Sequence, residues 1–251
     1  MKIALYSDLH LEIKTWMPPE SARQANVVIL AGDICCQSQG IAWAARSFNQ
    51  TVLYVSGNHE FYGVHLGLLR ELRECASGHV HFLERDMVVI GDARFLGCTL
   101  WSGFELHGGG EMQVDAMNTA RRSIGDYFDI AIRPGQRLEP RHTYLLHRQS
   151  VNWLDKALSE PFAGKTVVIT HFAPHRGCVP PEHQKSKLSP YFVSDMSKLM
   201  KKHRIDLWCH GHTHRSTDFI AENGCRVISN QFGYPNETEK SGFRQDLLID
   251  L

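Results

Sequence analysis

Seven polar residues carry the chemistry open to this sequence: Asp8, His10, Asp33, Asn58, His171, His212 and His214. Carboxylate and amide oxygens together with neutral imidazoles form a mixed donor set that suits Mn, Fe, Zn or Co better than Ca or Mg alone. Seven donors exceed what one ion ordinarily takes from protein, but they suit two ions when one carboxylate bridges them. Two ions about 3.5 to 4 Å apart can hold a nucleophilic hydroxide and clamp a phosphoryl oxygen. The 15 histidines of the chain, several in short clusters with acids, point the same way.

The elements that must position these residues are legible around them. Lys2 to Tyr6, Val27 to Ala31 and Val52 to Val55 are short apolar runs, rich in β-branched residues, each followed by polar residues or glycine. They read as buried strands that end in functional loops. Asp8 and His10 follow the first, Asp33 the second, and Asn58 and His59 the third. Later, His171 follows Val167 to Thr170, and His212 and His214 follow Leu207 to Cys209. Strand C-terminal edges are where ligands bind in open α/β sheets, because the loops leaving them converge on one crevice.

Helices are expected over Ile41 to Phe48, Val64 to Cys75, Met112 to Ser123, about Leu138 to Leu158, and Val193 to Lys202. Close-spaced strands at Val80 to Leu83, Met87 to Ile90 and Arg94 to Leu96 predict a second sheet edge, with Gly91-Asp92 as a hairpin turn. Arg226 to Ser229 and Leu247 to Leu251 close the sheet. The least regular stretch, 103–141, is expected to form a cap over the rim of the site, and Pro174 to Pro190 a loop. One α/β domain spanning 1–251 is the economical organisation.

Composition bounds the function classes. The chain has 251 residues, of which 43% are hydrophobic, and 27 Lys plus Arg balance 27 Asp plus Glu. A processive nuclease needs clustered cations for its phosphate contacts, so a DNA or RNA nuclease is the weaker alternative. The one small basic cluster, Lys198 to Arg204, fits a helix C-terminus complementing the dipole. No apolar run approaches the roughly 18 residues of a membrane span, and Met1 leads straight into a strand-like segment, so a cytoplasmic protein is expected. Seven cysteines without a CxxC pair argue for reduced packing thiols, Cys35-Cys36 included.

Five ordered blocks, Asp8-Leu9-His10, Gly32-Asp33, Gly57-Asn58-His59-Glu60, a lone His171 and Gly211-His212-Thr213-His214, resemble the calcineurin-like metallophosphoesterase superfamily. Two further stretches, Val52 to Tyr62 and Phe95 to Trp101, are similar to small bacterial members of its phosphodiesterase-like branch. Any one block is weak evidence; the ordered set, spanning residues 8–214, is specific. The resemblance implies a four-layer αββα sandwich, two mixed β-sheets face to face with helices outside. It implies that Asp8, His10, Asp33 and His214 hold one metal and Asp33, Asn58, His171 and His212 a second, with Asp33 bridging and manganese the favoured ion. His59 is then the catalytic group that stabilises phosphoryl charge or protonates the leaving oxygen. The implied reaction is in-line attack on a small phosphodiester or phosphomonoester, a nucleotide being one candidate, by a hydroxide bridging the two ions.

One departure narrows the choice. Protein phosphatases of this superfamily continue the second block as GDxxDR, whereas Gly32-Asp33-Ile34-Cys35-Cys36-Gln37 lacks that Asp-Arg pair; a phosphodiesterase is therefore favoured over a phosphatase. A scaffold that keeps the fold without catalysis should show eroded ligand positions, and here every one is filled.

Singly, an Asp or His at a strand end caps a helix or turns the chain, and it is the ordered set that favours ligation. His210 is expected to be structural, since neighbours on a strand face opposite sides. His147, His175, Arg121 and Arg122 stand open as site candidates. Tyr62 and Tyr234 are the aromatics placed to stack on substrate, with Trp101 assigned to the core.

Overall fold

The computed structural model describes residues 1–251, the side chain of Thr238 excepted. Thirteen strands are formed: β1 (Lys2–Tyr6), β2 (Val27–Ala31), β3 (Thr51–Val55), β4 (Val80–Phe82), β5 (Asp86–Ile90), β6 (Ala93–Cys98), β7 (Ala131–Arg133), β8 (Gln136–Arg137), β9 (Lys165–Thr170), β10 (Leu207–His210), β11 (Asp218–Ile220), β12 (Arg226–Ser229) and β13 (Leu248–Asp250). They build a five-stranded sheet ordered β13-β1-β2-β3-β4, a six-stranded sheet ordered β11-β12-β10-β9-β6-β5, and the small β7-β8 hairpin. Both large sheets are mixed, with parallel centres and antiparallel edges at β13, β5 and β11.

Side-chain alternation explains how the sheets stack. Ile3 and Leu5 of β1, Val27 and Ile29 of β2, Val167 and Ile169 of β9, and Leu207 and Cys209 of β10 belong to one buried cluster between the sheets. Their neighbours Ala4, Tyr6, Val28, Leu30, Val168 and Trp208 face outward into the helical layers. The period of two thus makes each central strand apolar on both faces, as a sheet covered on both sides requires.

The covering helices are α1 (Gln39–Ser47), α2 (Leu68–Cys75), α3 (Glu111–Ser123), α4 (Asp126–Asp129), α5 (Pro140–Ser159), α6 (Ser189–Phe192) and α7 (Ser197–Lys202). Helix α5 opens at Pro140 with Glu139 as N-cap and a reciprocal bond from the Glu139 amide to His142, satisfying donors the first turn leaves free. Among the described residues no helix is long and apolar enough to cross a membrane.

Three expectations are corrected. The helix expected from Val193 begins only at Ser197: Val193 forms a bridge with Ala173, and the Ser194 and Met196 amides donate to the carbonyls of Ala173 and Pro174, which keeps this segment out of the helix. The helix expected from Val64 begins at Leu68, because Val64 and Leu66 exchange backbone bonds with Ala131 instead. The strands of 80–98 do not all join a second sheet; β4 completes the first sheet beside β3, and the chain crosses to the other sheet at β5.

Candidate dinuclear metal centre

The parallel strands align their C-terminal ends. Tyr6 pairs with Leu30 and Ala31 with Val55 in one sheet; Ile169 pairs with Cys209 in the other. Backbone bonds then tie together the loops that leave neighbouring strands of each sheet: the amides of Asp8 and His10 donate to the carbonyls of Gly32 and Asp33, and the Gly211 amide donates to the carbonyl of His171. All seven residues expected as ligands converge in this crevice, and all are buried except the half-buried His214.

Two groups of donors share Asp33. In the first, Asp8, His10, Asp33 and His214 come together: His10 Nε2 lies 3.1 Å from His214 Nε2 and 4.0 Å from Asp33 Oδ2, and His214 Nε2 lies 3.5 Å from Asp8 Oδ1. In the second, His171 Nε2 stands 3.3 Å from Asp33 Oδ2, 3.1 Å from Asn58 Oδ1 and 3.2 Å from His212 Nδ1. Imidazole nitrogens thus face one another in both groups while their opposite nitrogens, where partnered, bind protein acceptors. Such a donor set fits a cation between the rings better than a proton.

The outer partners orient the rings. His10 Nδ1 donates to Glu12 at 3.1 Å, His214 Nδ1 to Glu237 at 2.6 Å and His171 Nδ1 to the Ala31 carbonyl at 2.9 Å. In the neutral ring each bond selects the tautomer with Nε2 free toward the centre. Burial opposes the charged form, but apart from any cation the Asp33 carboxylate outweighs it and raises the His171 pKa to about 10, and Glu237 likewise raises that of His214. His212 differs: its amide donates to Asp8 at 3.0 Å, and its ring, with Nε2 unpartnered, packs on Phe172 at 3.9 Å between centroids. Burial, reinforced by the nearby His171, holds its pKa well below the ordinary imidazole value, so the ring is neutral, as ligation demands.

Backbone conformation at the centre is unusual. Asp8, His10, Asp33, His212 and His214 all have φ between 45° and 74°, a left-handed region that costs a non-glycine residue on the order of 1 kcal/mol or more. Glycine has its own role at 57, where an added Cβ would collide with the Asp33 carboxylate and lie 2.7 Å from His171 Nε2.

His59 lies beside the centre, its amide donating to Asp33 Oδ1 at 2.9 Å. Its ring bonds Glu12 through Nδ1 at 3.2 Å, sits 3.0 Å from the Tyr234 hydroxyl through Nε2, and stacks on Tyr62 at 4.2 Å. Burial opposes its charged form, but the carboxylates of Asp33 and Glu12 outweigh that and raise its pKa to about 9. Tyr62 and Tyr234, expected near substrate, both line the cavity over the centre; Trp101 is buried in the core.

The other candidates lie elsewhere. His147 is buried against the Leu100 carbonyl, His175 pairs with Glu222, and Arg121 approaches Glu139; none of these, nor Arg122, lines the cavity. His210 is buried between Cys178 and Thr217. Sequence reasoning missed Glu237 and Asp126, whose positions carry no motif, and passed over Glu12 and Glu60. Their signal was available, because Glu12 follows His10 by two residues and Glu60 completes the Gly57-Asn58-His59 block.

With this geometry in place, comparison with known proteins is specific. The model of the calcineurin-like phosphoesterases matches residues 1–216, and the chain belongs to that family. Its reaction class is accordingly metal-dependent hydrolysis of phosphoric esters. Among solved structures, the phosphopantetheinyl hydrolase PptH of Mycobacterium tuberculosis superposes with a TM-score of 0.76 at 18% identity, over 96% of this chain and 92% of that one. A dimetal phosphatase from Danio rerio gives 0.57 at 14% identity, over 92% and 87%. At these identities the likeness is one of fold. Among curated proteins none matches the chain.

Proposed function

We propose that the protein is a dinuclear phosphodiesterase. Asp8, His10, Asp33 and His214 would hold one divalent ion and Asp33, Asn58, His171 and His212 the other, with manganese the favoured metal. When bound, two such ions supply Lewis-acid polarisation of the phosphoryl group and a water acidified enough to attack at neutral pH. The chain's own residues do the rest. Asp33 spans both groups and sets their separation. Glu12 and Glu237 hold the His10 and His214 rings in the required tautomer. His59, whose Nε2 lies beside the Tyr234 hydroxyl on the cavity wall, would present a donor to the phosphoryl oxygens or to the departing alkoxide. Residues 103–141 act as a cap, since Ser123, Ile124, Gly125 and Asp126 form part of the cavity wall.

The observation that carries the diester preference is the charge of that wall. Among the described residues, neither Lys nor Arg lines the cavity of about 470 Å³ over the centre. A monoester dianion offers more charge to neutralise than a diester monoanion, and bidentate Arg is the usual device for it. A nuclease is disfavoured on the same ground. Moreover, Lys202 and His203 of the basic cluster are already paired with Asp155.

The test is hydrolysis of bis-p-nitrophenyl phosphate and of p-nitrophenyl phosphate by Mn²⁺-reconstituted protein, with Asp33→Asn as control. Preferential turnover of the diester, abolished in a variant of unchanged circular dichroism, is expected. A monoester preference would overturn the diester reading, and full turnover by Asp33→Asn the bridging role.

A further inference from the structure

Beside the metal-binding residues the cavity has an apolar lobe, lined by Val179, Pro180, Leu188, Phe192 and Val193 from the segment around α6 and by Ile124 at the end of α3. Val179 and Val193 are buried, while Leu188 and Phe192 are half-buried with their surface on the lobe. The polar groups there are hydroxyls, His183 and one carboxylate, Asp126, which is fully buried and already accepts from Asn58, Tyr62 and Tyr191. No cationic side chain of Lys or Arg reaches the lobe among the described residues.

We infer that this lobe selects the organic group of the ester, and that the group is an uncharged, chiefly apolar aliphatic or aryl alcohol without a second phosphate or a carboxylate. The inference rests on the phosphoesterase reading of the centre and adds a substrate class to it. A concave apolar surface beside a few fixed polar groups is the ordinary architecture of a small-molecule site. An aliphatic chain entering the lobe removes apolar area from water on both surfaces. A terminal anion entering it would lose hydration, meet no cation and approach the Asp126 carboxylate, a penalty that exceeds the gain from the methylenes before it. Esters bearing several phosphates, and oligonucleotide strands, are rejected for the same reason.

Monoalkyl phosphates test the lobe without ambiguity, since each carries one organic group. Hexyl phosphate, 5-carboxypentyl phosphate and hexane-1,6-diyl bisphosphate are titrated calorimetrically into the Mn²⁺-reconstituted protein and assayed as inhibitors of bis-p-nitrophenyl phosphate hydrolysis. Hexyl phosphate is expected to bind roughly tenfold or more tightly than either anionic analogue. Leu188→Lys, which brings an ammonium to the rim of the lobe, is expected to shrink that ratio to within about threefold; Phe192→Lys serves if Leu188→Lys does not fold. Equal affinities for the three probes in the wild-type protein, or an unchanged ratio in a folded lysine variant, would overturn the inference. Calorimetric preference for hexyl phosphate without turnover of any ester would sustain the lobe's selectivity while removing the hydrolase reading, so the two fail separately.

Discussion

The Asn58 side chain is held at both ends, its amide donating to Asp126 at 2.9 Å while its Oδ1 stands 3.1 Å from His171 Nε2. Asp126 therefore decides which end of the amide the metal-binding side sees. It is itself anchored by the hydroxyls of Tyr62 and Tyr191 at 2.9 and 2.5 Å. Burial raises its pKa against the pull of these three donors. Removing an outer partner of a metal ligand typically weakens metal affinity by about 10 to 100-fold. Asp126→Ala is thus expected to lower affinity at the second position by that factor and leave the first intact. Calorimetric titration with Mn²⁺ would then resolve one tight and one weak site in the variant; two unchanged sites would refute the orienting role.

Glu60 ties the loops together. Its carboxylate accepts from the amides of Asp33, Ile34 and Gly57 at 3.1, 3.0 and 2.7 Å and from the Tyr54 hydroxyl at 2.7 Å. Leaving several buried donors unpaired costs about 1 to 3 kcal/mol for each. Glu60→Ala should accordingly destabilise the protein by roughly 3 kcal/mol or more, and Glu60→Gln by less, because one amide oxygen still accepts. Urea unfolding midpoints at constant m-value measure both.

At Gly57 the expected loss is of chemistry before fold. Gly57→Ala drives a methyl into the Asp33 carboxylate and toward His171, displacing the one residue shared by both donor groups. Turnover should fall by at least about a hundredfold, by analogy with the loss that a roughly 1 Å misplacement produces. Far-ultraviolet circular dichroism is expected to stay native. A variant with wild-type activity would mean that the Asp33 loop yields freely.

His147 gives a pH dependence away from the centre. Buried against the Leu100 carbonyl, its ring is harder to charge than in the unfolded chain, and burial lowers its pKa to about 4 from 6.5. Between those values the unfolded state binds the extra proton, so stability falls as pH falls. The contribution is complete above about pH 6.5 and lost by about pH 4, amounting to roughly 3 kcal/mol. His147→Gln should flatten the unfolding free energy over that window relative to wild type; parallel curves would show that the imidazole is not the proton acceptor.

The ligand positions were legible because each follows an apolar run whose strand character fixes where its loop emerges. Asp8, Asp33 and Asn58 could be placed on one edge from β1, β2 and β3 alone. Asp126 and Glu237 could not, since they reach the centre through tertiary placement of segments without periodicity. The stretch 193–196 has helical composition in the sequence and is kept out of the helix by a non-local pairing with Ala173 and Pro174. The apolar lobe escaped for a related reason: Ile124 and Phe192 come to line one cavity only after α3 and α6 have packed.

The five left-handed residues at the centre bear on the protein's evolution. At about 1 kcal/mol or more each, their conformations withhold on the order of 5 kcal/mol from a domain whose whole margin is typically about 5 to 15. Glycine at Asp8, His10, Asp33, His212 or His214 would relieve that burden while deleting a donor. Selection for thermal robustness alone would therefore erode the centre, and a lineage released from hydrolysis could become sturdier as it lost the metals.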